Sequence, residues 1–594
     1  MNIHDRSSLL LVPSGYKDGK LYSQVPSSGD GDFAFTRGSN LAATRVGADG
    51  LIEKGRENLL LQSNTFSDIA WADLYTAYTR TGGQAGYDGS NDAWELSKAS
   101  ASNGYITQAA AATNSVYTFS IHAKSGSQNG LILFFGTPVL SVNLDTGENF
   151  GLNRSIINSS ITSVGNGWWK IEFTFLASGT DISLKIMDAD TNTNVAGSIY
   201  VQDAQLELGI AATDYIESGA TTAKAGILEN QPRLDYSGGA SRASLLLEPQ
   251  RTNIASSMLF PSLNGITYTI SSTKIGDALP MQHFTKTSIG QYAGYIITGL
   301  SILAGDEYAF SMFFKPVSSD SGFHRIGMYF NGQNDLIYYD YARNGFFEDT
   351  SGTPLSSNKY VEEYANGVYR IISIQTAAAS GNRIDVNVDS YYNTNSQFLC
   401  GYAQVEEGSY PTSYIPTYGA SVTRSEDATS ELALSPSYGS SNTWFFELKR
   451  IIDTSLLNQP ISIIKNDSTG ASNRFTIMST SSGRLRVLLS DENGTTENLY
   501  SPDNSFDKGE TIKAAVKITP SGCTLFVDGA SAATSSSVGT ITGIDAITYF
   551  KNAALNQFLV FPTALSDTDC ELLTGTTYES FAAMAEALNY TVYE

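Results

Sequence analysis

The residues of this chain best suited to chemistry are aromatic rings in turn-rich sequence: Trp71 and Tyr75 in "IAWADLYTAYTR", Trp94 in "NDAWEL", and Tyr391 and Tyr392 in "DSYYNTN". Their surroundings are loop-like rather than strictly alternating, so no strand pattern commits them to a core. An exposed ring can stack on the apolar face of a pyranose as it stacks on other rings or on cations. These five residues are therefore the candidate glycan platform, although burial or packing at a protein interface is the commoner fate of such rings. Trp168 and Trp169 differ, because they open a strand-like run in which at least one ring belongs to a core. Two carboxylates in "DAQLE", Asp203 and Glu207, are hard oxygen ligands that suit a structural calcium ion. Solvated edge carboxylates are the plainer reading of the same pair.

Catalytic chemistry has weaker support. The four histidines, His4, His122, His283 and His324, are dispersed along 594 residues. HExxH, GxSxG, GxxxxGK[ST] and a GxGxxG opening a helix do not occur. We expect no catalytic residue, and no cofactor apart from that calcium. Paired carboxylates that cleave glycosides leave no mark of their separation in a sequence, so a glycan-degrading enzyme stays as the least favoured alternative. The formal net charge of −23 disfavours nucleic acid and anionic membrane as partners, since both need clustered Lys and Arg. Three cysteines without a CxxC cannot form a disulfide framework, which fits folding in a reducing cytoplasm. No apolar run is long enough for a signal sequence or a membrane span.

The elements that would position these residues are strands. Charged residues make up only 16% of the chain against 11% aromatics, with 53 glycines, a balance that suits short strands joined by polar turns. "YTFSIHAK" alternates with period two, and "NGWWKIEFTF" sets a turn dipeptide before a strand. The strands also recur. "RENLLLQSN" from Arg56 matches "RTNIASSML" from Arg251, "YTFSIHAK" matches "YAFSMFFK", "GNGWWKIEF" matches "ANGVYRIIS", and "QLELG" matches "QVEEG". "TDYIESGATTAKAG" from Thr213 is answered by "TSYIPTYGASVTRS" from Thr412. Matches in constant order, 191 to 200 residues apart, indicate a duplicated antiparallel sandwich. The second copy has Tyr402 where Asp203 would align, so the calcium pattern is broken there. A third unit with other landmarks follows from about Glu426, and Phe581, Met584, Ala585 and Leu588 give its tail a helical spacing.

Some of these phrases resemble a known family. The leader "LVPSGYKDGKLYSQVPSSGDGDFAFTRGSNLAATRVGADGLIEKGRENLLLQSNTFS" and its echo "PRLDYSGGASRASLLLEPQRTN" resemble segments of bacteriophage virion-associated proteins. "SYIPTYGASVTR" is similar to the end of their jelly-roll, carbohydrate-binding-like modules, in which a structural ion is often held. "GCTLFVDGASAA" and "FLVFPTALSDTDCELL" resemble a strand and the closing strand and helix start of laminin G or concanavalin-like domains. The expected fold is all-β: two duplicated jelly rolls plus one laminin G-like sandwich and a short C-terminal helix. The expected domains are a leader or attachment segment over 1–54, sandwiches over 55–219 and 249–425 with a linker at 220–248, the third sandwich over 426–576, and a helical tail over 577–594. The resemblance implies a non-enzymatic tail or head fibre or spike protein of the virion, made and folded in the host cytoplasm. Its expected partners are other virion proteins reached through the leader, further copies of itself, and host surface glycans. A free carbohydrate-binding or adhesin protein is the alternative.

Overall fold

The computed structural model describes residues 3–576, except 18, 40, 111–113, 152, 257–265, 277–278, 287–292, 318–322, 331–332, 391–396, 453–457 and 536; of the tail only residue 586 is described. The fold is all-β, with antiparallel sheets and one α-helix among the described residues. Tyr391, Tyr392 and the tail residues singled out for helical spacing lie outside the described residues.

Residues 72–208 form the first sandwich, whose six-stranded sheet runs from Ile156–Gly165 through Trp168–Leu176, Val116–Ser125, Gly197–Leu208 and Ala93–Lys98 to Tyr78–Gln84. Residues 266–407 repeat that order as Lys359–Tyr364, Val368–Thr376, Glu307–Pro316, Gln397–Glu407, Leu279–Lys286 and Ile266–Gly276. The opposing five-stranded sheets share four strands and differ at one edge each. Ala72–Leu74 closes one side of the first copy, and Gly345–Phe347 closes the other side of the second. Alternation explains the packing. Tyr117, Phe119, Ile121 and Ala123 are buried in the first core, and Tyr308, Phe310, Met312 and Phe314 in the second.

The repeated closing phrase has one physical job in both copies. Asn58 is fully buried and donates to the carbonyls of Ala204 (3.2 Å) and Ile216 (2.9 Å), while its oxygen accepts from the amides of Leu60 and Leu206. Asn253 makes the equivalent four bonds to Ala403, Ile415, Ala255 and Val405. Gln205 donates to Glu207 at 2.8 Å and accepts from the Ile216 amide; Gln404 does the same with Glu406 and Ile415. An Asn and a Gln thus hold the segment after the last strand against the sheet. Because all these groups are buried, losing one partner would strand the others unsatisfied.

The leader and the linker do not stand apart. Leu9–Leu11 pairs with Phe558–Val560, and Ser244–Leu247 pairs along the same strand with residues 553–555. The phrases "SLLLVP" and "SLLLEP" therefore lie end to end on one edge of the strand Ala553–Phe561. Leu9, Leu11, Leu21, Phe33 and Phe35 enter the core of the third sandwich together with Leu245 and Leu247. Leu10 and Val12 pack on the opposite face beneath the helix Asp567–Gly575, whose N-cap Ser566 accepts from the Asp569 amide. The segment expected as a separate leader is packed here: its apolar residues complete this chain's own C-terminal sandwich.

Where leader, linker and second sandwich meet, five charged side chains are buried together. Arg233 contacts Asp427 and also Glu248 at 2.9 Å, Arg424 reaches Glu248 at 2.8 Å, and Arg37 reaches Asp427 at 3.0 Å. Arg37 further donates to the carbonyls of Leu228, Gln231 and Ser39. Arg233 donates to the Thr44 carbonyl and the Ser413 hydroxyl. The surplus positive charge is thus met by neutral acceptors.

Candidate functional site

The first sandwich carries a row of rings on the outer face of its five-stranded sheet. Tyr75 follows the edge strand Ala72–Leu74 and is 79% exposed. Its ring meets Tyr105 edge-on at 5.7 Å, and Tyr105 meets Phe134 edge-on at 4.8 Å. Tyr105 and Phe134 are half-buried. They face outward because their strand neighbours Ile106, Leu131 and Leu133 face the core. Tyr75 has φ of +65°, in the left-handed region, where a bulky side chain costs roughly 1 kcal/mol or more. The loop at 102–104 sits against this corner: a Cβ on Gly104 would lie 2.5 Å from that of Thr76, and the Thr76 and Ser102 hydroxyls are hydrogen-bonded. The result is three rings across one sheet face, Tyr105 and Phe134 reaching over the intervening strand Asp181–Met187 and Tyr75 presented to solvent.

The other expected residues fall elsewhere. Trp71 is 1% exposed, packs in the core at 4.9 Å from Phe66, and donates its indole N–H to the Gln62 carbonyl at 3.1 Å. It is not a platform ring, because a turn-rich segment can fold inward whenever its polar atom finds a buried acceptor. Trp94 is half-buried, donates to the Asn64 carbonyl at 2.8 Å and lies over Gly82. Neither joins the row at Tyr75. Tyr105 and Phe134 were missed. The detectable feature was a strand apolar on both faces, "LILFF", whose alternate residues cannot all be core.

Asp203 and Glu207 are engaged by different donors. Glu207 accepts from the Thr213 amide (2.9 Å), the Thr213 hydroxyl (2.6 Å) and Gln205 (2.8 Å). Those bonds lock the closing segment, as Glu406 does in the second copy, so Glu207 does not fit the role of an ion ligand. Among the described residues no group of three acidic, His or Cys side chains converges on a metal position. Asp203 occupies a bulge with φ of +55°, matched by Tyr402 at +60°. It accepts from the Tyr87 hydroxyl at 3.0 Å, and burial raises its carboxyl to about 6.

The outer faces of the two long sheets have diverged around that bulge. In the second copy Phe313, Val368, Tyr402 and Tyr414 form an apolar cluster with Ile52 of the leader and Val116 and Ile210 of the first sandwich. The first copy has His122, Trp168, Asp203 and Tyr215 at the matching positions. There Tyr87 stacks on His122 at 3.6 Å, and Gln202 donates to Asp92 at 2.7 Å. Burial lowers His122 to about 4. One copy thus uses this face to bind its neighbour, and the other keeps a polar, ring-lined face.

No family model and no curated protein matches the chain. Among solved structures, it is similar to the carbohydrate-binding module of Ruminococcus gnavus IT-sialidase bound to α2,3-sialyllactose, at 15% identity over 25% of this chain and 98% of that one, with a TM-score of 0.20. A point variant of human galectin-16 is 16% identical over 22% of this chain and 92% of that one, at 0.18. The leech intramolecular trans-sialidase is 19% identical over 25% of this chain and 28% of that one, at 0.20. At these scores the likenesses bear on neither ligand nor activity.

Proposed function

We propose that this protein binds glycans, without catalysis, through the ring row Tyr75–Tyr105–Phe134 of its first sandwich. The observation that carries the reading is the exposed Tyr75 ring, held in an unfavourable backbone conformation at the end of an aromatic row. Its edge-on contact with Tyr105 leaves most of the ring open, as stacking on a pyranose face needs. A stacked ring contributes roughly 1 kcal/mol, so one site binds weakly and several copies together give useful avidity. The resemblance of the leader to bacteriophage virion proteins supports a second element of the proposal, that such copies are displayed on a particle. The leader's apolar strands are used internally, so attachment would need another surface. The test is glycan binding by the full chain and by Tyr75→Ala and Tyr105→Ala, read by titration against neutral oligosaccharides. Each substitution should weaken binding about fivefold, the equivalent of 1 kcal/mol, without shifting the melting temperature for Tyr75→Ala. Wild-type affinity in both variants would refute the platform.

A further inference from the structure

Beside Tyr105, the middle ring of the row, lie two lysines that no carboxylate neutralises. Lys98 is 1% exposed, and its ammonium donates only to main-chain carbonyls, those of Ser102 at 2.9 Å and Ile186 at 3.2 Å. Lys185 is half-buried and donates to the Asn103 amide oxygen at 2.5 Å. Neither forms an ion pair among the described residues, and the two repel each other: burial, then the Lys185 charge, lowers Lys98, and burial lowers Lys185. A chain of net charge −23 has carboxylates to spare for such a pair. Nearby carboxylates are otherwise placed. Asp73 is held by Arg80 at 2.6 Å, and Asp181 pairs opposite Ala109, four residues along the strand from Tyr105, where its charge still acts on the Tyr105 hydroxyl rather than on either lysine.

The register that pairs Ile106 with Leu184 sets Lys185 beside Tyr105 on the outer face. We propose that this corner is an anion subsite of the ring row: a sugar stacked on Tyr105 presents a carboxylate or sulfate to Lys185, and the buried Lys98 reinforces the field from beneath. Two ammonium groups held by neutral oxygens retain unused attraction for an anion, and partial burial makes that attraction stronger than at an open surface. The ligand class is therefore an acidic glycan rather than a neutral one. The inference rests on the glycan reading above.

The test uses the full chain and three oligosaccharides of one backbone: neutral, carboxylated and sulfated. Wild type should prefer an acidic ligand about tenfold, less so as salt rises. Lys185→Met, which keeps the apolar stem, should abolish the preference while neutral binding stays within about twofold; Lys185→Arg should retain it. A preference for the carboxylated ligand disappears as pH falls below that sugar acid's own pKa, and a preference for the sulfated one persists. Equal binding of neutral and acidic ligands by wild type, or an undiminished preference in Lys185→Met, overturns the anion subsite and leaves the platform standing. Binding of none of the three overturns both.

Discussion

Replacing Glu248 with Gln isolates the buried charge cluster with little change in shape. Glu248 accepts from Arg233, Arg424, and both the amide and the hydroxyl of Ser413. Burial alone would raise its carboxyl, but Arg424 and Arg233, then Ser413, bring it down to about 2 from 4.5. A carboxylate depressed in the folded state contributes stability that is complete above pH 4.5 and is lost as pH falls towards 2. The shift of some 2.5 units corresponds to about 3 kcal/mol. At pH 7, Glu248→Gln also leaves Arg424 without a carboxylate, so the expected loss is about 3–5 kcal/mol. For a domain of this size that lowers the melting temperature by roughly 10 °C. Calorimetry of wild type and variant from pH 7 to pH 2.5 would follow the transition that contains the cluster. The two curves should differ most at neutral pH and converge in acid. Equal melting temperatures at pH 7, or parallel losses between pH 5 and 3, would refute the assignment of stability to this cluster.

Removing residues 1–14 takes four buried apolar side chains, Leu9 to Val12, out of the third sandwich. At about 1.5–3 kcal/mol each this is comparable to the whole stability of a domain, so residues 426–576 should become protease-sensitive while the first sandwich keeps its own transition; resistance of both would sink the pairing. Asp203→Asn should stabilise the first sandwich above pH 6 and leave it unchanged below pH 4. A carboxyl raised to about 6 costs stability as pH rises through 3.8 to 6, and chemical denaturation at pH 4 and 7 compares the two.

Much of the sandwich framework was legible because its locking residues are literal repeats: Asn58 with Asn253, Gln205 with Gln404, Glu207 with Glu406. Such groups tolerate little change, since every polar atom has a buried partner. Strand alternation likewise placed Tyr117 and Tyr308 inside. Tyr215 and Tyr414, from the repeated closing phrase, lie on the outer face of the long sheet, Tyr215 on the Ser63 hydroxyl and Tyr414 in the cluster between sandwiches. The leader's destination could not be read, because Leu10 and Leu559 share no local pattern. Of the candidate platform residues that the structure describes, only Tyr75 reached the exposed row; Trp71 folded inward, where the Gln62 carbonyl meets its indole nitrogen. Lys98 and Lys185 were invisible as a pair, since two sheets bring them together.

The pairing of Leu9–Leu11 with Phe558–Val560 also sets an order of events during translation. The two repeated sandwiches contain all their own strands and can fold as they emerge. The third cannot close until both ends of its sheet exist. At ~5–20 residues per second, synthesis from residue 11 to residue 561 takes ~30–110 s. Throughout that interval "SLLLV" waits without its partner strand, an apolar segment of the kind that aggregates or recruits a chaperone. Ribosome-bound chains stalled before residue 553 should therefore hold an unprotected N-terminus, and release past residue 561 should protect it. A strand made early is thus among the last to find its place.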